Sequence, residues 1–340
     1  MSALLTLSLP IAVHSAITPS TLYQRALISD LMFSYRGRQF LTSYGDDGRS
    51  ESYVTDVQHR SPNDYKIVYE EPDRDVGRVI VEDDRQQWTL LPHSKVIVHS
   101  SQNLPLTRKQ ASAKYELLKQ NYELTVVPTP TWIADRKAFE LDITSKDGNG
   151  TEDRLWIDPD TGVVLRKEQY HADGALDSVM YFSEIKVFGG KTASIKTFSP
   201  PPQGLGGIVE AKKLDEKVIK RTDVMQYFGK SAICPERIGR FQLQSLTVLR
   251  SGRELTLHLR YSDGLVSLSL FETVRTSRLT STVALSQPIK LPQKLPGRVV
   301  RRYSYNLLNW DTPYVNFTFV GDVRVETLAK LTGLLDYHPI

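Results

Sequence analysis

The chain has 340 residues, of which 40% are hydrophobic and 24% are charged, so it is long enough for two domains that each have a core. Its 43 basic and 39 acidic residues are interspersed and leave a net charge of only +4, which argues against a nucleic-acid-binding surface. The single cysteine, Cys234, excludes an intramolecular disulfide and a metal cluster built from cysteines.

The N-terminal residues Ala3–Val13, ALLTLSLPIAV, form an apolar run that is followed by the small residues Ser15 and Ala16. The run is too short to cross a bilayer but has the length of a signal peptide. We therefore expect residues 1–16 to be a signal segment and the protein to be exported, although the usual basic n-region is absent. A buried N-terminal helix or strand is the alternative interpretation of the same pattern.

Helical and strand patterns then alternate along the chain. Residues 20–33 place apolar side chains at helical spacing, and residues 106–124 do so again, with Thr107 as a candidate cap of the second helix. Between these helices, apolar residues alternate with a period of two and are interrupted by turn residues about every ten positions. Strands resume after residue 135, around the turn signals Asp158–Gly162 and Asp173-Gly174. This pattern predicts an antiparallel meander that helices accompany.

The composition changes sharply over residues 197–224, where three consecutive prolines and a glycine-rich stretch precede a run of mixed charge. Such a segment is typical of a semi-rigid connector between domains. Beyond it, two alternating strands flank the turn Ser262-Asp263-Gly264, and a last strand leads into an amphipathic helix. We therefore predict a small α+β domain over residues 225–340.

Residues that could carry out chemistry are sparse. The seven histidines show neither HxH nor HExxH spacing, and there is no GxSxG elbow and no GxGxxG after a strand. His171 near Asp173 and Asp177 is the nearest approach to a catalytic pair, but its place beside a hairpin turn predicts exposure to solvent. We expect no catalytic, cofactor or metal site.

The strands carry more apolar side chains than one buried face needs. Tyr65, Ile67 and Tyr69 alternate against Val68, and Trp156 lies between two aliphatic residues. A sheet with one solvated face would alternate polar and apolar residues more cleanly. Either helices of the protein fill both sides of the sheet, or an uncovered part forms a groove in which burial of an acyl chain is worth roughly 25 cal/mol per Å². The candidate cavity residues are Trp88, Leu90, Phe139, Leu141, Trp156 and Met180.

Several stretches carry a resemblance to a known family. These are the strand–turn element with Trp88 and Pro92, the ADRKAFEL strand, the LWIDPDTG hairpin and the strand around Met180, and their order covers about residues 18–190. This order resembles the lipoprotein-carrier fold of LolA and, more closely, the N-terminal domain of the MucB/RseB sigma-factor regulatory proteins. The stretches LRYSDGLVSLSL and FVGDVRVETLAKLTGLL resemble the smaller C-terminal domain of that family.

The resemblance implies an α+β fold in which a curved antiparallel half-barrel, residues 17–196, wraps around helices and leaves an apolar cavity. It also implies a non-enzymatic periplasmic protein, at most peripheral to the membrane, that binds a lipid or acylated ligand and the extracytoplasmic domain of an anti-sigma factor. Two alternatives remain at this stage: a lipoprotein or lipid carrier between membranes, and an envelope hydrolase that uses the His171–Asp177 pair.

Overall fold

The structure is a computed structural model that describes residues 17–45, 48–83, 86–101, 107–189, 207–210, 215–229, 232–252, 254–274, 286–301, 305–313 and 315–336. The predicted signal segment, residues 1–16, lies outside the described residues. Helices within the described part are few, and none of them is long and apolar enough to span a bilayer.

The described part of the chain has four α-helices, and the two long ones begin at a capping threonine. They are α1 Pro19–Met32, α2 Arg108–Asn121, α3 Val224–Phe228 and α4 Val325–Thr332. Thr18 caps α1 by accepting a hydrogen bond from the Thr21 backbone N–H at 3.1 Å. Thr107 caps α2 as predicted, and Gln110 completes a capping box by accepting from the Thr107 backbone N–H at 2.9 Å. Both helices therefore begin where short polar side chains satisfy the first free N–H groups.

The first sheet contains 13 strands. They are β1 Phe33–Tyr44, β2 Ser50–Arg60, β3 Asp64–Glu71, β4 Val79–Asp83, β5 Gln86–Leu91, β6 Val96–Ser101, β7 Tyr122–Val126, β8 Thr131–Ile133, β9 Arg136–Ser145, β10 Glu152–Ile157, β11 Val164–Tyr170, β12 Leu176–Gly189 and β13 Gly207–Glu210. Their order is β13-β6-β5-β4-β3-β2-β1-β12-β11-β10-β9-β7, with β8 beside β9. All pairs are antiparallel except β13 with β6, and the path stays open, so the predicted α+β fold with an unclosed sheet is confirmed.

Helices α1 and α2 pack on one end of this sheet. Leu22, Tyr23 and Leu118 of the helices share a buried cluster with Leu141 and Leu155 of β9 and β10. A second cluster lies further along the sheet, around Tyr35, Val57 and Phe182. The helices therefore cover the β9–β10 end, and the strands from β3 to β6 lie beyond them in the strand order.

The second sheet contains nine strands. They are β14 Asp215–Val218, β15 Arg237–Ile238, β16 Phe241–Ser251, β17 Glu254–Ser262, β18 Ser267–Val274, β19 Gln287–Lys290, β20 Pro296–Arg301, β21 Asn306–Asp311 and β22 Val315–Gly321. Their order is β14-β16-β17-β18-β22-β21-β20-β19, with β15 beside β16. Its core joins Trp310 and Phe317, whose rings stack at 5.3 Å, to Leu328 of α4.

The connector contributes strands to both sheets. Of residues 197–224, Gly207–Glu210 form β13 beside β6, and Asp215–Val218 form β14 beside β16. Residues 197–206 and 211–214 lie outside the described part. The chain thus passes from the edge of one sheet to the edge of the other within a few residues.

Candidate ligand-binding site

The six candidate cavity residues fall into three groups. Phe139 and Leu141 belong to the cluster beneath α1 and α2, and Trp156 and Met180 belong to the cluster around Phe182. A third group is formed on β5: Trp88 stacks on His99 of β6 with ring centroids 5.0 Å apart, and Leu90 is buried two positions further along the strand, on the same face. The structure therefore spreads these residues along the sheet rather than around one point.

Leu141 is fully buried under the helices of the protein itself. Leu118 of α2 is likewise fully buried, and Tyr115 of the same helix donates or accepts a hydrogen bond with Ser20 of α1. The rings of Tyr23 and Tyr115 lie 6.0 Å apart and join the two helices. Side chains of the protein therefore fill the space over β9 and β10.

Beyond the helices, one face of the sheet carries a row of half-buried apolar side chains. Ile67 pairs with Ile80, Ile80 pairs with Thr89, and Thr89 pairs with Val98, so these residues lie directly across neighbouring strands. Directly paired residues of an antiparallel sheet point to the same face. We call Ile67, Ile80 and Val98, which are all half-buried, the apolar row.

The opposite face of the same strands is also apolar and is more deeply buried. Val79 pairs with Leu90, and Leu90 pairs with Ile97, of which Leu90 and Ile97 are 6% and 0% exposed. Apolar side chains therefore occupy both faces of β4–β6, as the alternation in the sequence predicted.

The residues of the apolar row were not among the six candidates. Ile80 and Val98 stand in the same apolar stretch as the candidates Trp88 and Leu90, and Ile67 stands in the preceding apolar strand, so composition alone does not separate them. The separating feature is strand register, which decides the residues that face one another. A hairpin-by-hairpin pairing of β3 to β6 from their turns would have been the available signal.

A buried carboxylate joins the two sheets. Asp263, 1% exposed, lies in the turn between β17 and β18 and accepts hydrogen bonds from the Leu265 and Val266 backbone N–H groups at 3.0 and 2.8 Å. Its other oxygen accepts from the Tyr122 hydroxyl, at the end of α2, at 2.6 Å. The aspartate therefore shapes its own turn and also binds the first sheet.

Arg240 makes the same connection from the other side. Its Nε lies 3.2 Å from Asp263, and its guanidinium donates to the Ser145 hydroxyl at 2.9 Å and to the Asn121 backbone carbonyl at 3.2 Å. The guanidinium also lies over the Tyr122 ring, 4.7 Å from its centroid. Because Asn121 ends α2, the positive charge sits where the helix carbonyls are unpaired. We call Asn121, Tyr122, Arg240 and Asp263 the junction.

The His171–Asp177 pair lies at this interface and is not solvent-exposed, so that expectation was wrong. His171 Nε2 is 3.2 Å from Asp177 Oδ1, and only 12% and 9% of the two side chains are exposed. His171 lines a small cavity of about 130 Å³ together with Val323 and Arg324, which lie between β22 of the second sheet and α4. The sequence around His171 does not reveal that the side chain is shielded from solvent, because the shielding residues lie about 150 positions later in the chain.

The polar groups beside this pair serve the contact between the two sheets. Gln169 donates to Asp322 at 2.7 Å, and Arg324 pairs with Asp173. Burial raises the pKa of the Asp322 carboxyl, and the nearby negative charge of Asp177 raises it further. Among the described residues, no group of three or more His, Cys, Asp or Glu side chains could hold a metal ion.

The sequence and the fold are both similar to those of known proteins. Residues 76–202 match the model of the MucB/RseB N-terminal domain. The whole structure resembles a chain in the complex structure of Pseudomonas aeruginosa MucA/MucB, with a TM-score of 0.58 at 17% identity over 93% of this chain and 97% of that chain. It also resembles a crystal structure of MucB in complex with MucA(peri), with a TM-score of 0.51 at 16% identity over 93% and 97%. No curated protein gives a match.

Proposed function

Because residues 76–202 match the model of the MucB/RseB N-terminal domain and the structure resembles the fold of MucB, we propose that this chain is an exported, non-enzymatic regulator of an anti-sigma factor that responds to a lipid or acylated ligand. In this proposal residues 17–196 form the ligand-binding domain, residues 225–340 form a second domain that binds the anti-sigma factor, and residues 197–224 link them. The protein then acts in the periplasm and is at most peripheral to the membrane.

The apolar row is the observation that carries the ligand-binding part of the proposal. Ile67, Ile80 and Val98 are aligned across β3–β6, remain partly open and include no charged side chain. A flexible hydrocarbon chain gains roughly 25 cal/mol for each Å² of apolar surface that it buries there, without any polar recognition. The deeply buried residues on the opposite face support the sheet, while the row keeps part of its apolar surface exposed.

The comparison supports the partner-binding part. MucB has been crystallised in complex with MucA(peri), and the likeness to that structure extends over 93% of this chain. The junction then offers a physical route between the two sites, because it ties the end of α2 to the turn of the second sheet. A ligand can change partner affinity only if it binds two arrangements of the protein unequally.

Binding of a dansyl-labelled fatty acid tests the ligand site. We expect the full chain to enhance and blue-shift the dansyl fluorescence, and we expect Ile80→Asn to weaken binding by about tenfold, since a tenfold change corresponds to ~1.4 kcal/mol of lost apolar contact. Val79→Asn is the matched control, because Val79 is the neighbouring residue, is also half-buried and points to the opposite face. Its affinity should stay close to that of the unchanged protein.

The result that would contradict this site is a fatty-acid affinity that is equal in both variants and in the unchanged protein while all three melt at similar temperatures.

The partner is tested by isothermal titration with the extracytoplasmic domain of an anti-sigma factor from the same genome. Binding whose affinity changes when fatty acid is present supports the regulator. Transfer of labelled lipid between vesicles, without any partner binding, would instead support a carrier.

A further inference from the structure

The edge strand β16 of the second sheet has a gap in its pairing. Strand β14 pairs with residues 247–250 of β16, and β15 pairs with residues 241 and 242. Within the described part of the chain, neither short strand pairs with residues 243–246. At about 3.4 Å per residue, this leaves roughly 10 Å of sheet edge between the two strands.

At each end of the gap, only one of the two backbone hydrogen bonds of a regular antiparallel pair is formed. The Ile219 N–H donates to the Leu246 carbonyl at 3.1 Å, and the Leu243 N–H donates to the Glu236 carbonyl at 2.9 Å. A hydrogen-bonded residue of an antiparallel pair normally makes both of its bonds to the same neighbour. The two reciprocal bonds, from Leu246 N–H to Ile219 and from Glu236 N–H to Leu243, are not formed among the described residues. The Leu246 N–H and the Leu243 carbonyl therefore face the gap.

A groove of about 670 Å³ lies over this gap. Its floor contains the buried side chains of Ile219 and Leu246, and its rim contains an ion pair between Arg221 and Glu236 at 2.6 Å. The rim also carries Arg237, an exposed side chain with which no described acidic residue forms an ion pair. The groove thus combines a mainly polar lining over two buried apolar residues, an open donor and acceptor of the sheet, and one cation available to a ligand. We call it the edge groove.

We propose that the edge groove binds an extended segment of a partner polypeptide, which fills the gap in β16 as an added strand and places a carboxylate against Arg237. A carbonyl of the segment accepts from the Leu246 N–H, and one of its N–H groups donates to the Leu243 carbonyl. Strand addition of this kind takes its affinity from backbone bonds and its selectivity from neighbouring side-chain pockets. The short span limits the added strand to a few residues, so the acidic side chain contributes the specificity.

This inference rests on the proposed function only in that the partner is a polypeptide, and it does not depend on a lipid ligand. The charge of the groove favours an acidic segment, because the added strand must place a side chain against Arg237. A second copy of this chain is disfavoured, because exposed sheet edges of native proteins are usually protected against pairing with one another. An apolar ligand is disfavoured because the open backbone groups would lose water without gaining a partner.

The test is selection of phage-displayed random linear peptides on the full chain, followed by titration of the selected peptides in solution. We expect enriched peptides to carry Asp or Glu, to lose about tenfold or more in affinity on Arg237→Glu, which corresponds to ~1.4 kcal/mol, and to slow hydrogen exchange of the Leu246 amide. Arg250→Glu is the matched control, because Arg250 is an exposed arginine near the other end of β16, does not line the groove and should leave affinity unchanged. Ser245→Trp, which fills the groove, should abolish binding.

Selection that yields no peptide sensitive to Arg237→Glu, or peptides that leave the Leu246 amide unchanged, would overturn the proposal. Concentration-dependent dimerisation that Arg237→Glu abolishes would also overturn it, since the groove would then belong to a second copy. Fatty-acid binding measured on the same variants separates the two ideas. If the Arg237→Glu variant still binds fatty acid but no longer binds the selected peptides, the proposed peptide site in the edge groove is supported, whether or not the anti-sigma factor is the natural partner.

Discussion

Two buried carboxyl groups in the second sheet have contrasting surroundings. Asp263 has hydrogen-bond donors on both oxygens and a guanidinium beside it. Glu272 accepts one bond, from the Ile233 backbone N–H at 2.9 Å, and its other oxygen is buried without a hydrogen-bond partner among the described residues. Burial therefore raises the pKa of Glu272 well above its ordinary value of 4.5.

This difference predicts the pH dependence of Glu272→Gln. A carboxyl whose pKa is higher in the folded than in the unfolded chain favours folding when both states are protonated, and this contribution is lost as pH rises above 4.5 toward the folded pKa. The amide keeps an acceptor for Ile233 and cannot ionise. We expect the variant to gain stability over the unchanged protein as pH rises, measured by urea unfolding from about pH 4 to about pH 8.

Glu254→Gln provides the control for this series, because Glu254 is an exposed residue on the same sheet. Its stability difference from the unchanged protein should stay nearly flat with pH. A Glu272→Gln variant whose difference from the unchanged protein does not grow with pH would show that the buried carboxyl is not held neutral in the fold.

At the scale of elements, the start of α2 depends on one threonine. The Thr107 hydroxyl accepts from the Gln110 N–H at 3.3 Å, and Gln110 closes the capping box. Thr107→Ala should reduce the free energy of unfolding by about 1 kcal/mol, because the Gln110 N–H of the first turn loses its acceptor. Chemical denaturation measures the loss. Ser112→Ala, at an exposed position within the same helix, should change stability little, and an equal loss in both variants would contradict the capping argument.

How far the sequence predicts this fold differs between elements. Helices α1 and α2 and the hairpin at Asp158–Gly162 follow from capping residues, periodicity and turn residues, which are local properties. Strands β13 and β14 were missed because both are short edge strands in a stretch dominated by proline, glycine and charge. The apolar row and the junction were missed for another reason. Both require knowing which distant residues meet, and Asp263 and Tyr122 are 141 positions apart.

At the scale of the whole molecule, the contact between the two sheets depends on the absence of one side chain. Gly264 follows Asp263 in the turn and has a φ of +100°, and a Cβ there would lie 2.3 Å from the Leu118 backbone nitrogen of α2. No rotamer change can relieve a clash with backbone. The turn and the helix must therefore separate if this position carries any larger residue.

This contact predicts unequal effects of two glycine substitutions. Gly252→Ala should cost about 1 kcal/mol, because Gly252 also has a positive φ but a Cβ there meets no atom within 4 Å. Gly264→Ala should lose about 1–3 kcal/mol more, because its φ of +100° lies outside the left-handed region that alanine can adopt and because α2 and the turn would be overpacked. Unfolding in urea measures both. Equal losses in the two variants would show that the turn does not press against α2.

Strand β13 also determines where the chain can be cut. It supplies the last strand of the first sheet from residues that follow the proline-rich stretch, and it pairs in parallel with residues 96–99 of β6. A fragment that stops at residue 196 would expose a β6 edge that is rich in valine and isoleucine, which is the kind of edge that recruits other chains. An independently soluble first half should therefore extend through Glu210, beyond the boundary that composition suggests.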